Sequence, residues 1–366
     1  MKEKKINNPV VLVAPLDWGL GHATRCVPII TQLLEEKCRV IIAASGSGKI
    51  LLQKEFPGLL FLELRGYGVK YSRSGAGMSL KLFLQVPGIL SAVYAEHGWL
   101  KRIIKEYAVD AVISDNRFGL FCKNAFCIYI THQLKIKTGG RFTEWLARKI
   151  HYWFINKFNE CWVPDTEKEN GLAGELSHPK IAPVVPVKYI GPLSRFEKNS
   201  VEKKYDLAVI LSGPEPQRTV FEELVLKDLG TVAGNIILVR GVPGGPSLKI
   251  NFPASVEIKD HLSSGELNRV ILQSRLIVSR SGYSTIMDLV KLQQKAILVP
   301  TPGQTEQEYL AGHLSQQRIF CCTRQADFSL SATVNDAGGF PFAGVAIPQN
   351  TYKQFVENFV DRIRNA

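Results

Sequence analysis

The feature that most constrains this chain is a recurring pair of patterns: a short, unbroken apolar run, then a segment with helical spacing. Val10 to Ala14 is the first such run, and it leads through Pro15 and a glycine loop into Ala23 to Glu36, where apolar residues recur every three or four positions. The strand pattern returns at Arg39 to Ala44, Leu59 to Leu64, Ala111 to Ser114, Cys127 to Thr131 and Glu160 to Val163. Helical segments at Gly48 to Glu55, Trp99 to Glu106 and Phe142 to Asn159 lie between them. A strand that is apolar on both faces must be covered on both, so the pattern predicts a parallel sheet with helices on each side.

The alternation pauses at Ala182-Pro183-Val184-Val185-Pro186, Gly191-Pro192 and a charged stretch from Glu197 to Lys204, which makes residues 182–204 the linker candidate. It restarts with strands at Leu207 to Leu211, Asn235 to Val239, Val256 to Ile258, Leu276 to Val278 and Ala296 to Val299. Helices are expected at Gln217 to Leu229, Ser264 to Gln273 and Tyr283 to Lys291. With 366 residues the chain has room for two domains. The expected fold class is α/β, two doubly wound Rossmann-like domains facing each other across a cleft, one over residues 1–195 and the other over 196–349. In such sheets ligands bind beyond the carboxyl ends of the strands.

Hydrophobic residues make up 45% and charged residues 21%, which excludes a disordered or polytopic membrane chain. The net charge of +12 is unevenly spread: residues 1–195 carry 27 basic and 16 acidic side chains, residues 196–366 only 18 and 17. A field of that size attracts polyanions, whether nucleic acid, an anionic membrane or phosphorylated ligands. The apolar run Val10 to Leu16 is too short for a secretory signal. Leu80 to Ala95, interrupted by Lys81, Gln85 and Pro87, falls short of the roughly 20 residues that span a bilayer. Seven cysteines without a C-x-x-C pair read as reduced cytosolic thiols.

Three stretches carry candidate chemistry. Ala44-Ser45-Gly46-Ser47-Gly48-Lys49-Ile50 resembles a P-loop but lacks the leading glycine and the Ser or Thr after the lysine, so a plain turn into a helix suffices. Asp17-Trp18-Gly19-Leu20-Gly21-His22-Ala23-Thr24-Arg25 lacks the third glycine of a dinucleotide loop and the acidic residue after the next strand. It does offer glycines for close backbone approach, a helix N-terminus suited to an anion, and His22 as either a base or a structural residue. The third stretch pairs Ser279-Arg280-Ser281-Gly282-Tyr283-Ser284, with Asp288 two turns into its helix, with Val299-Pro300 and Thr305-Glu306-Gln307-Glu308-Tyr309. Each is strand, small-residue loop, helix; taken alone, Asp288 also fits a solvated helix position and Gln307 a cap partner.

Together these residues resemble the family 28 glycosyltransferases of the GT-B fold, whose known members include the MurG-type N-acetylglucosamine transferase and the galactolipid synthases. By that resemblance Asp288 stands where an acid holds the ribose of a UDP-sugar, and Gln307 and Glu308 where a Gln pair meets the sugar. Ser281, Gly282, Tyr283 and Ser284 belong to the same donor block. Ile258, in the loop region Val256 to Leu262, falls where backbone reads uracil, and Arg195 where a linker arginine approaches the phosphates. Gly19 and Gly21 match the acceptor-side glycine loop, closed by His22 as general base. Asn116, His132 and Gln133 fall on the acceptor side as well. The helix expected from Thr351 to Asn365, within residues 350–366, would cross back to the first domain.

Two departures stand out. The loop Leu211-Ser212-Gly213-Pro214-Glu215-Pro216-Gln217 puts prolines and an acid where the family has a glycine-rich phosphate cradle, which leaves Ser212, Gly213, Gln217 and Arg218 to meet a diphosphate. Glu308 replaces a Gln and can accept but not donate.

The resemblance implies inverting, metal-independent transfer of a hexose or hexosamine from a UDP-sugar to an acceptor hydroxyl, with no cofactor and no metal ligand. It further implies a lipid or lipid-linked acceptor at the inner face of the cytoplasmic membrane. No nucleic-acid-binding signature is present to give the positive charge that use. Lys81 beside Leu82, Phe83, Leu84, Val86, Ile89 and Leu90 suits an anionic bilayer surface. So does the group Lys135, Lys137, Arg141, Arg148, Lys149 and Lys157 interleaved with Phe142, Trp145, Tyr152, Trp153, Phe154 and Phe158. The same patterns suit amphipathic helices packed on the sheet. The rival readings are a GT-B sugar-nucleotide epimerase and a catalytically silent sugar-nucleotide-binding protein.

Overall fold

The computed structural model describes residues 7–67, 78–168, 171–242, 248, 250–345, 348 and 350–365, with residues 78–87 described as backbone only. The chain divides into two compact units between Arg195 and Phe196, and its C-terminal helix belongs with the first unit.

The first unit is built on β1 (Val10–Pro15), β2 (Arg39–Ala44), β3 (Leu60–Glu63), β4 (Ala111–Asp115), β5 (Phe126–Ile130), β6 (Glu160–Val163) and β7 (Val187–Tyr189). All neighbours pair in parallel, in the order β3-β2-β1-β4-β5-β6-β7. The connecting helices are α1 (Leu20–Glu35), α2 (Gly46–Glu55), α3 (Met78–Tyr107) and α4 (Arg141–Ile155). Strand β1 takes the centre because Val10 to Ala14 is apolar throughout, and Val11, Leu12, Val13 and Ala14 are fully buried between helix layers. The segment expected to be only a linker thus supplies the edge strand β7. It is held by a Cys161-to-Val187 register and by Pro186, whose carbonyl accepts from the Cys161 N–H at 2.9 Å.

The second unit repeats the plan with β8 (Tyr205–Ile210), β9 (Ile236–Val239), β10 (Val256–Lys259), β11 (Ser274–Ser279), β12 (Ala296–Leu298) and β13 (Cys321–Cys322). Its order is β10-β9-β8-β11-β12-β13, again parallel throughout. Its helices are α5 (Gln217–Asp228), α6 (Ser264–Gln273), α7 (Tyr283–Lys291), α8 (Thr305–Gln316) and α9 (Leu330–Gly338). Helix α6 starts at a capping box, in which the Ser263 hydroxyl accepts from the Glu266 N–H while the Glu266 carboxylate accepts from the Ser263 N–H at 2.8 Å. The doubly wound expectation therefore holds in both units. Strand β13 and helix α9, between α8 and the expected final helix, have no counterpart among the elements expected from sequence; a two-residue strand carries no periodicity.

At the carboxyl ends of the first sheet, the buried Arg117 guanidinium joins several loops. It donates to the carbonyls of Pro15 at 2.9 Å, Arg65 at 3.0 Å and Leu64 at 3.2 Å, and to the Glu96 carboxylate on α3 at 2.5 Å. The other Glu96 oxygen accepts from the Tyr67 hydroxyl at 2.8 Å. Backbone at the ends of β1, β3 and β4 is thereby fixed before any substrate arrives. Among the described residues, no helix is long and apolar enough to cross a membrane.

The last helix, α10 (Thr351–Arg364), buries Tyr352, Val356, Phe359, Val360 and Ile363. The Phe359 ring meets Trp162 edge-on at 5.6 Å and Phe126 at 5.9 Å, and Arg362 donates to Glu160 at 2.5 Å. Since Phe359 is fully buried on the first unit, Phe359→Ala should lower its stability by about 3–5 kcal/mol. Urea denaturation followed by far-UV circular dichroism would check this, with residues 196–346 serving as the internal comparison.

Candidate functional site

In the first unit the site grows from the turn between β1 and α1. Gly19 has φ of 82°, a left-handed conformation that disfavours any side chain, and it lets Leu20 open α1 at once. His22 therefore falls in the first turn of the helix, with Gly21 beside it. One turn further, Arg25 is buried, and its Nε donates to Asp115 Oδ2 at 2.7 Å while Nη2 reaches Oδ1 of the same carboxylate. Asp115 is the last residue of β4 and is fully buried.

His22 Nδ1 lies 3.2 Å from Asp115 Oδ1 and 2.9 Å from Arg25 Nη2. Guanidinium can only donate and carboxylate only accept, so the two contacts favour opposite tautomers. With the proton on Nδ1 the ring donates to Asp115 and leaves Nε2 bare, the form a general base needs. Burial lowers the His22 pKa from the imidazole value, opposed by Asp115 and aided by Arg25, so the ring is neutral at pH 7. For Asp115 burial acts upward, but Arg25 and His22 together hold its carboxyl well below the usual range.

His132 joins the cluster through Nδ1, 3.1 Å from Arg25 Nη1. Asn116, in a left-handed conformation at φ of 56°, turns its carboxamide oxygen to Arg25 Nη2 at 3.2 Å and its NH2 to Thr131 Oγ1 at 3.0 Å. The backbone N–H of Gln133 donates to the same Thr131 hydroxyl at 3.1 Å. His22, Asn116 and His132 thus contact one arginine-carboxylate pair, and Gln133 joins them only through the Thr131 hydroxyl. Sequence reasoning missed Arg25 and Asp115. The separation of 93 residues between His22 and Asp115 gave no spacing signal, although Ser114-Asp115-Asn116 closing an apolar strand was a polar cluster that could have been noticed.

In the second unit the expected donor residues gather where β11 and β12 end. Ser281, fully buried, donates through Oγ to the Gln307 carbonyl at 2.9 Å, which ties the start of α7 to the start of α8. Gly282 is the residue before α7, Tyr283 is buried in its first turn, Ser284 follows, and Asp288 lies half-buried on the same helix. Ile258 is half-buried on the edge strand β10.

Three of the expected ligand groups also hold hydrogen bonds of their own. The Gln307 side chain accepts from the Thr301 N–H at 3.0 Å and donates to Gln304 Oε1 at 2.5 Å, and Glu308 Oε1 accepts from the Gly303 N–H at 2.9 Å. Both therefore organise their own loop, and neither side chain caps α8. Arg218 does not present a free guanidinium: it donates to Glu215 at 2.6 Å, Glu222 at 2.9 Å and Thr219 at 2.7 Å. Ser212 and Gly213 lie in an exposed loop, with Gly213 at φ of 110°. Arg195 sits 3.6 Å from Glu55 at the end of α2. In the P-loop-like stretch Lys49 pairs with Glu63 at 2.6 Å, as an ordinary helix-to-strand contact.

Replacing Asp115 with Asn would leave Arg25 buried without a counter-charge, and a loss of about 3–5 kcal/mol in urea denaturation is expected. The His22 shift also fixes a pH slope. With the folded pKa below that of the unfolded chain, the stabilisation is complete above about pH 6.5 and is lost as pH falls through the folded value. His22→Asn should remove that part of the slope, measured as urea midpoints at several pH values.

The model of the glycosyltransferase family 28 C-terminal domain matches residues 263–338, the span from α6 to α9. An uncharacterized glycosyltransferase of Methanosarcina mazei is 22% identical over 321 residues, 82% of this chain and 81% of that protein. A UDP-N-acetylglucosamine N-acetylmuramyl-(pentapeptide) pyrophosphoryl-undecaprenol N-acetylglucosamine transferase of Haemophilus ducreyi is 22% identical over 268 residues, 69% of this chain and 72% of that one. Among solved structures, the glycotransferase of kitacinnamycin superposes with a TM-score of 0.65 at 14% identity, covering 98% of this chain and 96% of its own. The parallel sheets and the superposed structure show the GT-B fold, and the relatives together with the matched domain identify the chain as a glycosyltransferase whose residues 263–338 are similar to the C-terminal domain of family 28.

Proposed function

We propose that the protein moves a hexose or hexosamine from a UDP-sugar to a hydroxyl of a lipid or lipid-linked acceptor, with inversion at the anomeric carbon and without metal. The observation that carries the reading is His22: neutral, fixed through Nδ1 by Asp115, with Nε2 making no hydrogen bond among the described residues. Nε2 takes the proton of the acceptor hydroxyl, and the acceptor oxygen forms its bond to the anomeric carbon from the side opposite the diphosphate. The bond from that carbon to the β-phosphate oxygen breaks, and UDP leaves with the electron pair. The proton remains on His22, stabilised by Asp115, until solvent removes it. The leaving charge is met by the N-termini of α7 and α8. UDP as the carrier is supported by the Haemophilus relative's name and by Asp288 on α7.

An anionic membrane as the place of transfer is supported by α4. Phe142, Trp145, Leu146, Ile150 and Trp153 share one face of that helix, and Phe142 is 72% and Trp153 58% exposed. Lys149 lies 5.1 Å over the Trp145 ring and Lys157 4.0 Å over Trp153, with Arg141 and Arg148 on the same helix. Apolar rings flanked by cations fit an acidic headgroup layer. Lys135 and Lys137, assigned to this face from sequence, instead pair with Glu175 at 2.6 and 3.6 Å. Of the second candidate segment, Lys81, Leu82, Phe83, Leu84 and Val86 lie outside the described side chains.

Incubation with UDP-sugars, dTDP-sugars and a membrane lipid extract should yield a glycosylated lipid and UDP. Interconversion of the sugar without acceptor would indicate an epimerase instead, and binding without turnover a silent sensor. His22→Ala should abolish turnover and leave UDP affinity within about twofold, whereas equal loss of both would make His22 structural. Trp145→Ser with Trp153→Ser should reduce co-sedimentation with anionic vesicles at least about tenfold, and binding that ignored anionic lipid content would defeat the membrane reading.

A further inference from the structure

Arg25, Arg117, Arg218, Arg240 and Arg280 are buried. The first four meet carboxylates: Asp115, Glu96, Glu222 with Glu215, and Glu222 with Asp260. Arg280 meets none. It is 2% exposed, its Nη1 donates to the carbonyls of Val299 and Pro300 at 3.2 Å each, and its Nη2 donates to the Gln217 carbonyl at 3.0 Å. Its guanidinium carbon lies 4.2 Å above the Phe221 ring, and its Nε has no hydrogen-bond partner. Burial pulls the pKa down to about 10, which leaves the group cationic at neutral pH.

A charge kept from water with only neutral acceptors is costly, and an apolar residue of the same shape normally suits such a place better. The location gives the charge a use. Its carbonyl partners are the first residue of α5 and the loop before α8, and the next residues, Ser281 and Gly282, lead into α7. The guanidinium therefore sits among the starts of these helices, whose dipoles have the same sign. The neighbouring cluster does not supply that charge, because Arg218 and Arg240 are set against Glu215, Glu222 and Asp260.

We propose that Arg280 is a positioning residue for the donor, a fixed buried counter-charge for its diphosphate that acts through its field and the backbone it holds, without contacting the phosphates. The unliganded second unit is then electrostatically incomplete, and a dianion supplies the missing partner. Glu215 works against the same anion: its carboxylate accepts from the Thr219 N–H at 3.2 Å in the first turn of α5. This makes the uncompensated cation at 280 the more necessary. The inference rests on the nucleotide-sugar reading, and inorganic diphosphate tests it apart from any nucleotide.

The experiment compares the full-length protein with Arg280→Met and Arg280→Lys by calorimetric titration of inorganic diphosphate, uridine, UMP and UDP, together with urea denaturation without ligand. Arg280→Met should be at least as stable as the wild type, yet bind diphosphate and UDP at least about tenfold more weakly, with uridine unchanged and UMP between. Arg280→Lys should recover most of the phosphate affinity, and it keeps the test valid should the Met variant fail to fold. Equal weakening of uridine and UDP alongside lost stability would reduce Arg280 to a backbone tie. Diphosphate affinity unchanged in the Met variant, or no diphosphate binding by the wild type, would overturn the inference. If the wild type binds diphosphate through Arg280 but no uridine nucleotide, the nucleotide reading fails and the counter-charge stands.

Discussion

Every strand in both sheets runs parallel to its neighbours, and that single constraint decides where chemistry can occur. In a parallel sheet with crossover helices, all strand carboxyl ends and all helix N-termini collect at one edge, so uncommitted amides, small residues and polar side chains collect there too. The loops that carry His22, Asp115, His132, Ser281 and Gln307 are all products of this geometry. Arg117 makes the edge of the first sheet rigid by joining the ends of three strands to α3.

On that edge the two units solve opposite electrostatic problems. In the first, a fully buried carboxylate needs compensation, which Arg25 supplies, and the remaining interaction with His22 keeps a neutral ring in place. Burial, aided by the Arg25 charge close to the ring, lowers its basicity, so the ring is neutral at neutral pH. In the second unit the Arg280 cation meets only neutral acceptors among the described residues.

The net charge of the first half looked from sequence like one diffuse feature, but the fold sorts it. Arg25 and Arg117 are interior braces, Lys135 and Lys137 hold Glu175, and Lys188 pairs with Glu160. What remains beside exposed aromatic rings is the set on α4. A strongly amphipathic helix can face either way, and only the packing of His151, Tyr152, Phe154 and Ile155 inward fixed the tryptophans outward.

The sequence by itself determined the element order and the parallel sheets, because continuous apolar strands have only one way to be covered on both faces. It also determined the glycine loop that opens α1 and the start of α6 near Ser264, since those depend on residues a few positions apart. The grouping of Ser281 with Gln307 was legible through short spacing within two consecutive units. Tertiary structure alone decided the rest: that Asp115 meets His22 across 93 residues, that Arg218 is neutralised and Arg280 is not, and that Gln307 and Glu308 are engaged with their own loop. The physical reason is that charge compensation is a property of distance through space. A residue type and its sequence neighbours say that a charge exists, and only the folded chain says what stands beside it.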